Sequence, residues 1–593
     1  MCGIFGQWNF NNKPLNNEIF NAQRNTLLHR GPDNANSWFS KDGTIGLAQT
    51  RLSIIDLDAR ANQPLHNENN TIHGVVNGEI YNYKELRTEL ENKGHIFKSN
   101  SDSEVIIHGW EEWETNLPSK LNGMFAFTIF DETKKNLFAA RDRFGIKPFY
   151  YHLTNNKFIF VSELKAIVED SEFKKDIDWT SVCDYFTYRY VPSPKTIWHN
   201  VFKLPPAHSL QIDFNNKIII SEYWKLNCNN VQLSFSDTVE KAHELLNKSV
   251  KKHLLSDVEI GTFLSGGYDS TALVLMQHEL NYKQKTFSIG FENWNKSEDK
   301  YAEIIAKQFN TEHHKEIIDE SSLELLDNLA WNYDEPNGDI STIPTFKVSE
   351  LASKNVKVVL SGEGADEIFG GYTWHHNLMN CKNLFNKENI YNYLHGNKLS
   401  GIKGYANAMA MGMFNKKKLK ELLTPEYHNN IPDNSFWFYK QHFRKELSPL
   451  KAFQYIDIKT FMAELVLQKV DRASMANSLE ARVPFLDLEL VEFMFNLNEN
   501  VYFKKGQQKA ILQEILKPFV PKEIIERKKQ GFTGPDKYYQ NRAWYKSELL
   551  DSVLVKNGII NKQFIENSLN SSDYWRLWKI VIFEKWFKKW KKN

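Results

Sequence analysis

Alternating hydrophobic and polar positions dominate the first third of the chain and predict short strands. LNGMFAFTIFDETKKNLFAARD predicts a strand, a polar turn at residues 131–136 and a returning strand. GLAQTRLSIIDL and HGVVNGEIYNY predict further strands, and helices are expected at residues 16–28, 83–93 and 103–113. The pattern therefore indicates a β-rich domain over residues 2–213.

The pattern changes across residues 215–236, where a strand ends and an irregular stretch precedes a helix. We place a domain boundary there and expect a second domain over residues 236–593. Ser236 is expected to cap a helix, because the apolar residues that follow it fall on one helical face. These residues are Val239, Ala242, Leu246, Val250 and Leu254.

Strands and helices alternate in the first part of the second domain. EIGTFL, KTFSIGF, HHKEIID and VKVVL predict strands, and helices are expected at residues 269–280, 299–309 and 321–332. This alternation is typical of a doubly wound parallel sheet, which binds ligands beyond the carboxyl ends of its strands. Beyond about residue 377 the chain is expected to be mainly helical.

Composition narrows the classes of partner. The 593 residues include 74 Lys and Arg against 73 Asp and Glu, a net charge of +1, so neither nucleic acid nor an anionic membrane is expected to be recruited by charge. The partners expected are small molecules. No basic segment followed by an apolar one opens the chain, and no run approaches the roughly 18 apolar residues that span a bilayer.

The four cysteines are too few and too scattered for a disulfide framework or a Cys-x-x-Cys metal knuckle. They are Cys2, Cys183, Cys228 and Cys381. A reducing, cytoplasmic location is expected.

The first predicted strand end with unusual residues is TFLSGGYDS. Its small residues Ser265, Gly266 and Gly267 would let a phosphate approach the backbone, and Ser270 adds a hydroxyl at the start of a helix. A Gly-Lys dipeptide is absent, so this is not a Walker loop. Asp269 would repel phosphate without an intervening cation and therefore implies Mg²⁺. The alternative is an ordinary glycine turn.

The second strand end is VVLSGEGADEIFGGY, where Glu363, Asp366 and Glu367 crowd a glycine-rich turn. Like charges this close are costly unless a cation or a shifted pKa relieves them. The arrangement predicts a functional site, and a solvated acidic loop is the alternative.

Cys2 would become the first residue if the initiator methionine were removed. Its thiol would then have the α-amine as a nearby base, an arrangement suited to nucleophilic catalysis. The structural alternative is a small buried hydrophobe.

Three short clusters could serve such a nucleophile in amide hydrolysis. Arg51 of RLSIID could bind a carboxylate, and the Asn77 amide and Gly78 N–H of NGEIYN could form an oxyanion hole. Glu79 and Asp102, the latter in SDSE, could bind an ammonium group.

These motifs resemble a known family. MCGIFG, HRGPD, RLSIID, NGEIYN, SDSE and RDRFGIKPFYY resemble the class II glutamine amidotransferase domain, and LSGGYDS, SGEGADEIFGGY and LEARVPFLD resemble the ATP-pyrophosphatase synthetase domain. Their order resembles the glutamine-hydrolysing asparagine synthetase B family. The resemblance implies an N-terminal four-layer αββα N-terminal-nucleophile domain, followed by a doubly wound parallel-sheet domain with a helical extension.

The activity that the resemblance implies joins two reactions. Cys2 would release ammonia from glutamine, with Ile54 joining the glutamine site, and an internal tunnel would carry the ammonia to the second domain. There ATP would activate L-aspartate as an acyl-adenylate, and asparagine, AMP and pyrophosphate would result. The resemblance also implies a homodimer.

The resemblance also assigns residues of the ATP site. Asp269 and Asp366 would hold Mg²⁺, Lys509 would neutralise phosphate charge, Tyr372 would close the site and Glu363 would take protons from ammonia. The residues that would line adenine and ribose, mainly through backbone groups, are Leu264, Ile289, Ser361 and Gly362.

Two departures from the family pattern bear on function. Tyr268 replaces the usual leucine of the phosphate loop, although only its backbone would shape the loop. YDEPNGDISTIPTF and RKKQGFTGPDKYY leave the acceptor less certain. Aspartate is the default, since Asp334, Glu335 and Asp339 could pair its ammonium group unless they are simply solvated. The alternative is another carboxylate, such as a sugar uronate in surface polysaccharide biosynthesis.

The last helix, DYWRLWKIVIFEKWFKKWKKN, has a basic, aromatic composition that could favour a membrane or nucleic acid. Its large apolar residues share one face, however, which favours core packing. These residues are Trp575, Trp578, Ile582, Trp586 and Trp590.

Overall fold

A computed structural model describes residues 2–380, 401–503, 507–527 and 530–591. These residues form two six-stranded antiparallel sheets followed by a five-stranded parallel sheet surrounded by helices. In chain order the strands are β1 (Cys2–Asn9), β2 (Asn34–Phe39), β3 (Ile45–Arg51), β4 (Leu65–His66), β5 (Ile72–Ile80), β6 (Gly123–Asp131), β7 (Asn136–Arg141), β8 (Tyr150–Leu153), β9 (Lys157–Val161), β10 (Val201–Lys203), β11 (His208–Ile212), β12 (Ile218–Glu222), β13 (Ile260–Phe263), β14 (Lys285–Phe291), β15 (Glu312–Ile318), β16 (Val358–Leu360) and β17 (Glu480–Arg482).

The two antiparallel sheets pack face to face in the first domain. Their strand orders are β10-β8-β9-β1-β3-β2 and β12-β11-β7-β6-β5-β4. Inward-facing residues such as Ile4, Leu47 and Val75 form a shared buried core, as the alternating pattern requires. Helices cover both outer faces, so the expected four-layer αββα arrangement is confirmed.

The parallel sheet of the second domain has the order β15-β14-β13-β16-β17. Thr262 of β13 pairs with Leu360 of β16, so these two strands end side by side. Helices pack on both faces, which confirms the doubly wound architecture. The two glycine-rich strand ends singled out above therefore meet at one edge of the sheet.

The α-helices span Asn17–Asn25, Tyr83–Asn92, Val105–Trp113, Leu117–Lys120, Lys165–Val168, Trp179–Tyr188, Phe235–His253, Tyr268–Glu279, Asp299–Gln308, Leu326–Asn332, Thr342–Ser353, Ala365–Phe369, Thr373–Asn380, Gly401–Met409, Lys416–Leu422, Trp437–His442, Pro449–Asp457, Leu467–Met475, Leu488–Asn496, Glu499–Tyr502, Ala510–Leu516, Lys522–Glu526, Asp536–Tyr539, Arg542–Leu549, Val553–Lys556, Lys562–Asn570 and Tyr574–Trp590. A π-helix spans Ile458–Val466. Within the described ranges, none of these helices is both long and apolar enough to cross a membrane.

Several local expectations need correction. The cap of helix Phe235–His253 is Ser234, whose hydroxyl accepts from the Asp237 N–H at 3.1 Å, so the expected cap at Ser236 is wrong. The helix expected at residues 321–332 begins as a 3₁₀ turn, Glu320–Leu325, before Leu326–Asn332. Strand β12 pairs with β11, so the first-domain sheet reaches Glu222, beyond residue 213.

The C-terminal helix Tyr574–Trp590 packs into the core, as its apolar face predicts. Trp586 is fully buried, and its indole N–H donates to the Asp334 carbonyl at 2.7 Å. Trp590 donates in the same way to the Ala330 carbonyl at 2.7 Å. The aromatic face thus anchors helix Leu326–Asn332 and the segment that follows it.

Candidate active sites

Cys2 is the first residue of β1 and lies where the two sheets of the first domain meet. It pairs with Arg51 of β3 in its own sheet. Its backbone N–H donates to Asn77 Oδ1 of the facing sheet at 3.1 Å. Asn77 is completely buried, and its Nδ2 has no hydrogen-bond partner among the described residues. A buried donor of this kind is available for an oxyanion that forms beside the thiol.

The surroundings of the Cys2 thiol act on it in opposite directions. Burial raises the pKa of the thiol, while the backbone N–H of Leu52 and the Arg51 guanidinium favour the thiolate. Because the net shift is upward, the nucleophile needs a base to take its proton.

Acidic side chains are crowded beside this nucleophile. Burial, and then the carboxylates of Glu480 and Asp102, raise the pKa of Glu79 well above its ordinary value. Burial also raises the pKa of Asp102 to about 6. The counter-charge comes from the second domain, where Arg482 lies 3.4 Å from Glu79 and 2.6 Å from Glu480. An ammonium group bound here would relieve the crowding of negative charge.

The predicted carboxylate-binding residue, Arg51, is tied to the loop that follows β3. Its guanidinium donates to the carbonyl of Asp58 at 3.1 Å, to Asn62 Oδ1 at 2.8 Å and to the carbonyl of Asp56. The Ile54 carbonyl accepts from the Asp257 N–H at 2.9 Å. A glutamine carboxylate bound by Arg51 would have to replace some of these hydrogen bonds.

The second site lies where β13 and β16 end. Ser265 Oγ accepts from the Gly267 N–H at 3.3 Å and lies 3.3 Å from Ser270 Oγ, which shapes a tight loop before helix Tyr268–Glu279. Gly266 has φ +70°, and a Cβ there would lie 2.5 Å from the Tyr301 backbone, so only glycine fits. The Tyr268 hydroxyl points away to the Ile525 carbonyl at 2.6 Å. The backbone N–H groups of this loop are therefore the groups available to contact a phosphate.

Lys509 joins the two strand ends. Its ammonium lies 2.5 Å from Asp269 Oδ1 and 2.7 Å from Asp366 Oδ1. Burial would lower the pKa of Lys509, but the two carboxylates raise it, so the side chain stays charged. A Cβ on Gly371 would lie 2.0 Å from Asp366 Oδ1 and 2.1 Å from Lys509 Cε, so a larger residue there would have to displace the ends of these two side chains.

Asp269 and Asp366 both point at the Lys509 ammonium, so their carboxylates lie close together. Carboxylate oxygens that converge in this way are the donors that Mg²⁺ takes in nucleotide sites. Asp269 and Asp366 therefore fit the predicted Mg²⁺, with Lys509 as the neighbouring cation.

A cavity of 460 Å³ opens beside this centre. Among the described residues, its lining includes the predicted site residues Leu264, Ser265, Gly267, Asp269, Ser270, Ser361, Gly362, Glu363, Asp366, Tyr372 and Lys509. Gly266 and Ile289 are not part of that lining, and the Ile289 side chain is buried in the core. Ser361 Oγ donates to Glu363, and the Tyr372 hydroxyl donates to Glu367 at 2.6 Å.

Of the three acids expected to face the acceptor, only Asp339 lines the cavity. Asp334 is fully buried and lies 3.0 Å from Lys165, and Glu335 lies 2.9 Å from Lys203. None of the three is a solvated surface residue, because Asp339, the most exposed of them, is only 8% exposed. Burial would raise the pKa of Asp339, but Lys469 and Arg189 hold it below its ordinary value.

A buried network of charges joins the two domains. Its cations are Arg30, Lys165 and Arg472, and its anions are Glu163, Asp334 and Asp471. Arg30 lies 2.7 Å from Glu163 of its own domain and 2.9 Å from Asp471 of the second domain. Arg472 lies 3.0 Å from Glu163. Equal numbers of opposite charges allow the network to be buried, and the contacts fix how the domains meet.

Sequence reasoning missed several residues near the sites. Lys469 lies 2.7 Å from Ser341 Oγ in the cavity wall, and the Arg527 guanidinium donates to the Gly266 carbonyl at 3.1 Å. Arg482 and Glu480 reach the first site from β17. LEARVPFLD was a visible motif, but nothing local in it indicated a partner in the other domain.

Comparison with known proteins agrees with this architecture. A family model described as asparagine synthase matches residues 241–588, and one described as a glutamine amidotransferase domain matches residues 1–224. Asparagine synthetase (glutamine-hydrolyzing) 1 of Bacillus subtilis (strain 168) is 33% identical over 99% of this chain and 96% of that protein. Putative asparagine synthetase (glutamine-hydrolyzing) 2 of Methanocaldococcus jannaschii is 39% identical over 64% of this chain and 76% of that protein. Amidase chry2 of Gibberella zeae is 29% identical over 92% of this chain and 90% of that protein.

The fold, the sites and these relatives define an ATP-dependent ligase with an N-terminal-nucleophile glutamine amidotransferase domain. The chain belongs to the asparagine synthase family. The resemblance inferred from the motifs is thereby confirmed.

Proposed function

We propose that the protein makes asparagine from glutamine, ATP and L-aspartate through an acyl-adenylate. The observation that supports the proposal is the presence of two candidate sites in one chain. Cys2 lies beside Asn77 in one domain, whose Nδ2 has no hydrogen-bond partner among the described residues, and Lys509 bridges Asp269 and Asp366 in the other.

The first reaction is hydrolysis of the glutamine side-chain amide. With the initiator methionine removed, the Cys2 α-amine takes the thiol proton and the thiolate attacks the amide carbon. Asn77 Nδ2 and the Gly78 N–H stabilise the oxyanion, and the amine returns the proton as the C–N bond breaks to release ammonia. Water then hydrolyses the thioester to glutamate. Glu79 and Asp102 bind the substrate ammonium.

The second reaction is activation of a carboxylate in the 460 Å³ cavity. The backbone of residues 265–267 and the start of helix Tyr268–Glu279 bind the phosphates, and Lys509 balances their charge. Mg²⁺ held by Asp269 and Asp366 would supply further charge neutralisation on the pyrophosphate. An acceptor carboxylate oxygen attacks the α-phosphorus, and pyrophosphate leaves.

Ammonia from the first site then attacks the acyl carbon. Glu363 lines the cavity and is positioned by Ser361, so it can take the proton that the new C–N bond releases. The C–O bond to phosphate breaks, and AMP leaves. Transfer of ammonia without loss to water requires an internal path between the domains.

Aspartate as the acceptor is supported by a pair of opposite charges in the cavity wall. Lys469 Nζ lies 3.6 Å from Asp339 Oδ2, and both residues line the cavity. A cation and an anion side by side suit an α-carboxylate and an α-ammonium on one carbon. A uronate would bring hydroxyl groups and leave this pair without matching charges.

The deciding experiment measures pyrophosphate release from the full chain with ATP, Mg²⁺ and ammonium. Saturable release with L-aspartate, accompanied by asparagine, is expected, and D-glucuronate should give only the ATP background. Asp339→Asn should raise KM for L-aspartate by roughly 10- to 100-fold, since one charge-assisted contact is lost. Asp433→Asn, at a side chain that is 97% exposed, is the matched control. No release with L-aspartate from an enzyme whose glutaminase works would move the acceptor to another carboxylate.

A further inference from the structure

A cluster of histidine and glutamate side chains lies in the first domain, outside both candidate active sites. We call it the His–Glu cluster: Glu68, His95, His108 and Glu111. One potential ligand atom from each residue lies within 4.8 Å of the others. Glu68 follows β4, His95 follows helix Tyr83–Asn92, and His108 and Glu111 lie one turn apart on helix Val105–Trp113. The cluster therefore joins three separate segments of the chain.

The distances between these atoms suit a tetrahedral cation better than direct hydrogen bonds. His108 Nδ1 lies 3.6 Å from Glu68 Oε1 and 3.4 Å from Glu111 Oε2. His95 Nδ1 lies 3.8 Å and 3.5 Å from the same two oxygens. Ligands about 2.1 Å from a tetrahedral zinc are about 3.4 Å from one another, whereas a strong N–H···O contact is about 2.9 Å.

His108 gives an independent sign that a partner belongs in the cluster. The side chain is only 1% exposed, and neither ring nitrogen has a hydrogen-bond partner among the described residues. Glu111 Oε2 is likewise buried without a hydrogen bond among the described residues. The other oxygen of that carboxylate, Oε1, accepts from the Asn67 amide at 2.9 Å. Buried polar atoms are rarely left in this state unless water or an ion completes them.

The groups around the cluster are arranged as they are around metal-bound histidines. Both rings face the cluster with Nδ1 and face a carboxylate with Nε2. His95 Nε2 lies 3.1 Å from Glu112, within hydrogen-bond distance, whereas His108 Nε2 lies 3.6 Å from Glu104, near that carboxylate but not hydrogen-bonded to it. A carboxylate behind a ligating imidazole fixes its tautomer and orientation. The Ile96 N–H similarly holds Glu68 Oε1 at 2.8 Å.

We propose that the His–Glu cluster binds one structural Zn²⁺ per chain. Two neutral imidazoles and two carboxylates neutralise the ion, and four protein ligands leave no open position, as in structural rather than catalytic zinc sites. The ion would fasten helix Val105–Trp113 and its preceding turn, which carries Asp102, to the two loops. No step of the reactions proposed above passes through it.

The test is the metal content of the full chain, purified without a histidine tag or chelator. Elemental analysis should find about one Zn²⁺ per chain. Removal with a chelator should lower the melting temperature, and one equivalent of Zn²⁺ should restore it. Co²⁺ in place of Zn²⁺ should give the intense visible absorption of tetrahedral coordination.

Variants locate the ion. Glu111→Gln keeps the shape of the side chain but removes a charged ligand, and His108→Gln removes a ring ligand; each should retain less than about a tenth of the zinc. His199→Ala changes an exposed histidine of the same domain outside the cluster and should keep all of it. Ammonia-dependent synthesis should persist in all three and shows that the second domain folds, and a wild-type circular dichroism spectrum shows that the first domain does.

Two results would overturn the proposal. One is wild-type protein that contains no zinc and takes up none from a buffered Zn²⁺ solution, in which case the cluster is a set of imidazole–carboxylate pairs only. The other is zinc that persists in both ligand variants, which would place the ion elsewhere.

Discussion

Asn77 offers the sharpest test of the glutaminase site, because its two side-chain atoms have different tasks. Oδ1 accepts from the Cys2 N–H at 3.1 Å, whereas Nδ2 is a buried donor without a described partner. Asn77→Ala removes both, and Asn77→Asp keeps the acceptor but replaces the donor with a carboxylate, whose negative charge would repel the oxyanion. Loss of one oxyanion donor lowers kcat by roughly 10²- to 10³-fold, about 2.7–4 kcal/mol.

The two variants should therefore differ in a defined way. Asn77→Asp should lose at least the roughly 10²- to 10³-fold of kcat expected for a missing oxyanion donor, and the loss should grow as pH rises and the new carboxyl ionises. Asn77→Ala should lose about 0.5–1.5 kcal/mol beyond the contribution of the donor, because the Cys2 amine also loses its acceptor, and this loss should not depend on pH in the same way. The assay is glutamate release from glutamine, with ammonia-dependent asparagine formation measured in parallel and expected to stay unchanged.

Asn136→Ala is the matched control for removal of a buried amide. Asn136 is 8% exposed and lies at the turn end of the β6–β7 hairpin, opposite Asp131, whereas Asn77 lies opposite Ala126 near the other end of β6. The glutaminase activity of Asn136→Ala should match that of the wild type. Glutamate release by Asn77→Ala within about threefold of the wild type would refute the oxyanion role.

Four further outcomes follow from the structure. Cys2→Ala should abolish glutamine-dependent synthesis and spare ammonia-dependent synthesis; loss of both in a folded variant would contradict two separate sites. Glu363→Ala should slow amide formation from either nitrogen source by roughly 10²- to 10⁴-fold, with glutaminase retained, and unchanged ammonia-dependent turnover would remove it from the mechanism. Burial raises the pKa of Asp102 to about 6, so its carboxyl is protonated below that pH. KM for glutamine should therefore rise as pH falls through 6. A pH-independent KM would argue against contact between Asp102 and the substrate ammonium. Arg30→Met should lower the free energy of unfolding by about 3–5 kcal/mol, because Asp471 would stay buried with one cation fewer. Denaturant unfolding measures this loss. The Arg30→Met/Asp471→Leu double variant, which also removes the buried anion, should recover stability.

Local patterns of the chain determined most of the architecture. Strands β6 and β7, the turn between them and helix Tyr83–Asn92 lie within about two residues of the positions predicted from periodicity. The alternation of strands and helices after residue 255 fixed the parallel sheet, because successive parallel strands need such crossovers. The sequence also indicated several candidate site residues, because their side chains supply a nucleophile, an amide donor, carboxylates or a cation. These are Cys2, Asn77, the two glycine-rich strand ends and Lys509.

Only the tertiary structure decided which charges meet. Asp334, Glu335 and Asp339 look equivalent in sequence, yet two are paired with lysines away from the cavity and one lines it. The pairing of Arg30 with Asp471 joins residues 441 positions apart, and the His–Glu cluster gathers three segments with no shared motif. Local spacing predicts a strand or a turn because those depend on neighbours along the chain. Charge pairing depends instead on which surfaces are buried together, and that is fixed only when the domains pack.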